Sequence, residues 1–486
     1  MSTSATEPAG LIYIISDLHL GGEAADGQRG FRLCTHEAEL AAFIDALTAI
    51  SQPAVELVIN GDIVDFLAER TGDEDHPWSA FHFPQSHALD RLNAIIKRSA
   101  PVFHALARFL AQPHHRLVIL PGNHDLELNL PAVRHRLREA VGGAIDSADY
   151  EFILDGKAYR PGNDVLIEHG NRVDQMNFAD YKAIGGLCEL LTQGKAVRPQ
   201  FEFDPPAGSK LVAQVMNRIK SKYSFIDLLK PEVEAAFPVI LALEPGRRGE
   251  LGRIALMLYE GKHRYGEQQQ RRTGMGTISA LESLPAAAKA PPIDPLGDIL
   301  ERTVGRRDFA KPPAGGHDGA VREIALIDKA RSLWSLLSGK RDETFEDRLF
   351  DLRDALLAFQ GQNCFDRSQE TLAEYRDEAQ TLARHPVRHV VFGHTHLAKH
   401  VTLEGGGQYF NSGTWADLLE LPRKILDPNR ALLPLADLEA FVRDMVAGNF
   451  ASYDMVRPTY VRIAQDAAGN SLTAKLCDYK PGTPVL

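Results

Sequence analysis

Short apolar runs alternate with amphipathic stretches through the first part of the chain. Leu11 to Ile15 is compact and Ile-rich, as a strand buried on both faces would be. Glu37 to Ile50 sets Leu40, Phe43, Ile44 and Leu47 at helical spacing. Val55 to Ile59 predicts a second strand, Pro101 to Leu110 a helix, Arg116 to Leu120 a third strand and Val165 to Ile167 a fourth. Farther on, His389 to Phe392 and Gln408 to Phe410 read as strands and Asp437 to Val446 as a helix. Thr459 to Ile463 and Ser471 to Cys477 are two further β-like runs. Strands alternating with helices predict a layered α/β fold with mostly buried sheets.

The middle of the chain differs. From about Phe178 to His385 the pattern is mostly helical, as in Lys210 to Leu229 and Phe345 to Phe359. Inside it, Gly261 to Gly319 is polar and rich in Gly and Pro, a candidate mobile segment. Chemistry-bearing clusters lie on both sides of this middle. The expected organisation is therefore a catalytic domain in two parts, residues 1–177 and 386–486, with a helical insertion or cap at 178–385 and its mobile segment near 261–319.

Five of the apolar runs end in polar clusters. Asp17-Leu18-His19 follows the first strand, and a carboxylate and an imidazole two positions apart on a turn can converge on one cation. Asn60-Gly61-Asp62-Ile63-Val64-Asp65 follows the second; Gly61 permits a sharp turn, and the two oxygens of Asp62 could bridge two metals. Pro121-Gly122-Asn123-His124-Asp125 follows the third, with Asn123 as a neutral carbonyl ligand and His124 free to act as an acid. Glu168-His169-Gly170-Asn171 and Gly393-His394-Thr395-His396 close two more. If the last is extended, its two histidines face opposite ways and can serve different metal ions. Each cluster alone also reads as turn chemistry or helix capping. Together, at the ends of five strands, they read as a metal site at the carboxyl edge of a sheet.

Composition narrows the classes. With 486 residues there is room for one α/β domain and a large insertion. A formal charge of −11 argues against a mainly electrostatic nucleic-acid binder. No apolar stretch approaches ~20 residues, and no basic segment precedes the N-terminal apolar run, so neither a membrane span nor a signal peptide is expected. The four cysteines are scattered without a C-x-x-C pair, which disfavours a thiolate zinc site or a disulfide scaffold and suggests a cytoplasmic setting.

The ordered blocks D-x-H, G-D, G-N-H-D, H-G and G-H-x-H resemble the calcineurin-like metallophosphoesterase superfamily, from about Leu11 to Trp415 and without the helical middle. The resemblance implies a four-layered α/β/β/α sandwich with a dinuclear metal centre. It implies that Asp17, His19 and His396 hold one cation, that Asn123, His169 and His394 hold the other, and that Asp62 bridges them. His124 would be the unligated histidine near the scissile phosphate, oriented by Asp65. The phosphoprotein phosphatases carry Arg and Glu where this chain has Phe66 and Asp125, which argues against that substrate class. His169 to Asp174, H-G-N-R-V-D, resembles in part the UDP-2,3-diacylglucosamine pyrophosphatases, although these commonly have Arg in place of His124. The double-strand-break repair nucleases of the superfamily fit the same core blocks.

Two cations about 3.5–4 Å apart can activate water and neutralise phosphate oxygens. His124 would then protonate the leaving oxygen, with Asp65 favouring its charged form. The alternative role for Asp65 is to cap the helix starting near Phe66. A ligand set of nitrogen and oxygen without sulfur suits Mn, Fe or Zn. The expected activity is hydrolysis of a phosphomonoester, phosphodiester or pyrophosphate. A nuclease is the alternative, its phosphate contacts drawn from Lys262, Arg264, Arg271, Arg272, Arg306, Arg307 and Lys311, which read more readily as a solvated linker. A non-catalytic scaffold fits poorly, because every ligand-type residue is present.

Overall fold

The structure is a computed structural model. It describes residues 10–23, 30–51, 53–144, 147–197, 203–229, 349, 352–353, 364–420, 436–447, 449, 453, 457–466, 468–483 and 485. The expected mobile segment at 261–319 and most of the expected helix Phe345 to Phe359 lie outside them. The chain divides into two compact units: residues 1–228, 363–420 and 454–486, and residues 229–362 and 421–453.

The first unit is built on two sheets. The strands β1 (Leu11–Ile15), β2 (Val55–Asn60), β3 (His115–Leu120), β4 (Tyr150–Phe152), β9 (Thr459–Gln465) and β10 (Ser471–Asp478) form one, in the order β10-β9-β1-β2-β3-β4. The strands β5 (Val165–Ile167), β6 (His389–Phe392), β7 (Lys399–Thr402) and β8 (Gln408–Asn411) form the other, in the order β5-β6-β8-β7. β1, β2 and β3 run parallel, as do β5, β6 and β8.

Alternation along the strands makes the layers. Ile12, Ile14, Val58, Val118, Val165, Ile167, Val391 and Phe410 belong to one buried cluster between the sheets. Tyr13, Ile15, Leu57, Ile59, Leu117 and Ile119 point the other way. They pack under α1 (Glu37–Thr48), α2 (Gln85–Arg98), α3 (Ala100–Leu110) and α4 (Pro131–Ala140). Val390, Phe392 and Tyr409 pack against Tyr375 and Ala379 of the helix Ala373–Leu382. The result is the expected α/β/β/α order. Strands covered on both faces read as near-continuous apolar runs, which is why β1, β2 (despite Glu56) and the Leu117–Leu120 part of β3 were legible.

Some elements were not. β4 is three half-buried residues at a sheet edge. β7 hides because Lys399 points inward: it is fully buried and donates to the carbonyls of Cys364 (2.6 Å) and Asp366 (2.8 Å). The single helix expected from Lys210 to Leu229 is interrupted. Ala207–Leu211 runs through a π turn, Val212–Met216, into Asn217–Lys220, and a 3-10 turn follows at Ile226–Leu228. The helix closes where the Lys222 and Tyr223 amides both donate to the Ile219 carbonyl.

In the second unit the helix Ala436–Ala447 buries Leu438, Phe441 and Met445, with the Phe441 ring edge-on to Tyr453 at 5.2 Å. Among the described residues no helix is long and apolar enough to cross a membrane.

Candidate metal centre

All five polar clusters follow the carboxyl ends of parallel strands, three in one sheet and two in the other. Parallel register aligns them. The Asp17 amide donates to the Gly61 carbonyl (3.1 Å) and the His19 amide to that of Asp62 (2.9 Å). In the other sheet Gly393 donates to the His169 carbonyl (2.9 Å). The sheets are stitched at this edge as well. Asn60 Nδ2 donates to the Glu168 carbonyl at 2.8 Å, and Thr414 Oγ1 to that of Asp17 at 2.8 Å.

Two compact sets of ligand-type atoms result, Asp17 with His19 and His396, and Asp62 with His169 and His394. In the first, His19 Nε2 lies 3.1 Å from His396 Nε2, and His396 Nε2 lies 3.3 Å from Asp17 Oδ1. In the second, His169 Nε2 lies 3.3 Å from Asp62 Oδ2 and 3.3 Å from Asn123 Oδ1. The sets adjoin through Asp62, whose Oδ2 is also 3.7 Å from His19 Nε2. That oxygen is buried and accepts no hydrogen bond of proper geometry.

The outer nitrogens of two rings are fixed. His169 Nδ1 lies 2.7 Å from the Asn60 carbonyl and His19 Nδ1 lies 3.4 Å from Asp65 Oδ2, so each Nδ1 donates. The lone pairs at Nε2 then face inward onto oxygens and another ring nitrogen. Acceptors converging on acceptors in a buried site need positive charge between them, either a metal cation or protons carried by the rings. The donor set thus fits a divalent metal.

Electrostatics agree. Burial alone would raise the Asp17 carboxyl, but the His396 imidazole outweighs it and brings it down to about 2. Burial likewise opposes charge on His169, and the Asp62 carboxylate overrides it, lifting the ring to about 9. Burial also raises Asp65, yet the His124 and His19 rings hold it well below the usual carboxylate range.

The backbone is strained here. Of the seven described non-glycine residues with positive φ, five are Asp17 (54°), His19 (45°), Asp62 (52°), His394 (69°) and His396 (63°). Left-handed non-glycine residues cost about 1–3 kcal/mol each and cluster at functional sites. The last two correct an expectation: the G-H-x-H segment is not extended. His394 and His396 reach different sets because both adopt left-handed backbone, not by strand alternation.

His124 stands beside the first set, its ring 4.7 Å from that of His19 and edge-on. Its Nδ1 lies 3.1 Å from Asp65 Oδ1, and its amide donates to Asp62 Oδ1 at 2.8 Å. Its side chain is 16% exposed, more open than those of Asp62 (1%) and His169 (2%). Asp65 also accepts from the Ala68 amide at 3.2 Å, so capping and histidine pairing coexist. His19, Asp65 and His124 are themselves close enough to hold a cation.

Three features escaped the sequence. Asp65 touches His19 as well as His124. Asp125 clamps two loops, accepting from the amides of Gly122 (2.6 Å) and Ile63 (2.8 Å). Burial and the Asp62 charge push that carboxyl up to about 8. Lastly, a cavity of about 390 Å³ borders His396, lined by Phe365, Arg367, Leu397, Leu418 and Arg457 among others. Nothing in local sequence links these residues.

Residues 10–213 match the family model described as calcineurin-like phosphoesterase. No curated protein and no solved structure matches the chain. The matched span contains Asp17, His19, Asp62, Asn123 and His169 and stops before His394 and His396, which tertiary structure brings to the same edge. Residues 10–213 are thus similar to the calcineurin-like phosphoesterase family, the superfamily that the ordered polar blocks resemble.

Proposed function

We propose that this chain hydrolyses a phosphate ester at a two-cation centre. Asp17, His19 and His396 hold one cation; Asn123, His169 and His394 hold the other; Asp62 is shared. The observation that carries this reading is Asp62 Oδ2, buried without a hydrogen bond and within 3.7 Å of an imidazole nitrogen from each set. Two divalent cations there would supply an activated water and neutralise phosphate oxygens. The nitrogen and oxygen donors suit Mn, Fe or Zn.

The chain's own groups supply the rest. Asp65 accepts from His124 Nδ1 and so orients the ring, whose Nε2 is the atom to give a proton to the leaving oxygen. Phe66 is fully buried and offers no charge to phosphate. The cavity beside His396 has a volume ordinary for small-molecule sites, and it suits the organic part of the substrate. Arg367 there is tied to Asp478 at 2.7 Å, and the lining also carries one further cation, Arg457, and one further carboxylate, Glu420. The four cysteines are free thiols, in keeping with a cytoplasmic setting.

The test is an activity panel on metal-reconstituted protein: a chromogenic monoester, a chromogenic diester, a nucleoside-diphosphate sugar and single-stranded DNA. Metal-dependent turnover of one of the first three supports the reading and ranks monoesterase, diesterase and pyrophosphatase. Turnover of DNA alone favours the nuclease. No turnover of any substrate by protein with both cations bound sinks the proposal.

A further inference from the structure

The segment His169 to Asp174 ends in a carboxylate that the reading above leaves without a role. Asp174 Oδ2 lies 3.0 Å from His394 Nε2. The carboxylate is itself held: Oδ1 accepts from the Met176 amide (2.7 Å) and Oδ2 from Asn177 Nδ2 (2.7 Å). That turn is anchored in its own right, because the Met176 carbonyl accepts from the Gly208 amide at 2.8 Å. On its face the His394 ring stacks with Tyr375, 6.3 Å between centroids and 28° between planes. The imidazole is therefore gripped at one nitrogen and one face, on a residue whose backbone is left-handed (φ 69°).

An imidazole that gives its Nε2–H to a carboxylate keeps its lone pair on Nδ1. Nδ1 is then the ring atom left for the set that His394 forms with Asp62 and His169. We propose that Asp174 is a positioning residue for the cation of that set. By accepting the Nε2–H it fixes the His394 tautomer and ring orientation. This rests on the two-cation reading above. It also ties His394, outside the matched family span, to the loop leaving His169 inside it.

The test compares wild type with Asp174→Asn, Asp174→Ala and His394→Ala, each checked for native circular dichroism. Mn²⁺ and Zn²⁺ binding is measured by equilibrium dialysis. In the metal-free proteins the ring tautomers are read from long-range imidazole proton–nitrogen correlations, with His394→Ala identifying the His394 signals. The expected result is one cation bound as in wild type and the second about 10–100-fold more weakly in Asp174→Ala, with occupancy recovered at excess metal. Asp174→Asn, which keeps an acceptor oxygen, falls between. His394 shows protonated Nε2 in wild type and a tautomer mixture in Asp174→Ala. Unchanged metal affinity, or an unchanged His394 tautomer, in Asp174→Ala overturns the proposal. Loss of the second cation that excess metal does not restore, as in His394→Ala, also overturns it and makes Asp174 a ligand. Wild type holding fewer than two cations would instead bring down the underlying reading of the site.

Discussion

Asp62 presents two oxygens with different surroundings. Oδ1 accepts the His124 amide at 2.8 Å, whereas Oδ2 faces His169 and His19 without a hydrogen bond. Asp62→Asn keeps the shape but removes the charge that two cations would share. Metal content and turnover are expected to fall together; elemental analysis showing two metals retained, with full activity, would contradict the bridging role. His124 makes a separable prediction. As an acid, His124→Ala should lose about 10²–10⁴-fold on esters with poor leaving groups, far less on activated ones, at normal metal content. Its closeness to His19 and Asp65 supplies the competing outcome: loss of a metal in His124→Ala would make it a ligand. Asp65, in contact with both rings, should affect metal binding and leaving-group dependence at once.

At the scale of elements, the site depends on how strands end. The loop after β3 passes so close to the loop after β2 that a Cβ on Gly122 would run into the Asp62 carboxylate. A Cβ on Gly61, at φ 87°, would likewise strike the His169 ring. Glycine is thus required at both positions by close approach, and at Gly61 by backbone conformation too. Gly122→Ala should leave the strands, and therefore the circular dichroism, intact while displacing Asp62 and lowering metal occupancy. Full occupancy in that variant would mean the loops part without disturbing the ligands. Sequence showed the strands and the polar turns, but not that these turns touch.

For the whole molecule, protonation and metal binding couple to stability. Glu127 is buried and accepts the His82 amide at 2.7 Å. Burial pushes its carboxyl from 4.5 up to about 8. Between those values the folded state holds a proton that the unfolded state has lost. Its contribution is therefore fully present below about pH 4.5 and disappears as pH rises through about 8. Urea unfolding at pH 5 and pH 8.5 should show a smaller drop for Glu127→Gln than for wild type; equal drops would refute the assignment. Chelation should also destabilise the fold, since ligands that bind only the native state contribute about 2.7 kcal/mol per site at a hundredfold excess over Kd. A melting temperature indifferent to chelator would show that no cation is bound at this edge.

What the sequence determined by itself was local. Burial on both faces makes β1, β2, β3 and β6 mostly apolar runs, and a chain leaving a buried strand must turn, so the polar blocks at Asp17, Asp62, Asn123, His169 and His394 stood out. Tertiary structure alone decided which blocks meet. Register between parallel strands sets Asp17 beside Asp62, and packing of the two sheets sets His169 and His394 into one group and His396 into the other. Only folding brings Asp174 to His394, seats Arg367 and Arg457 around one cavity and turns Lys399 inward. The physical reason is that hydrophobic periodicity records which face of a strand or helix is buried, while the identity of the partner across that face depends on residues far away in the chain.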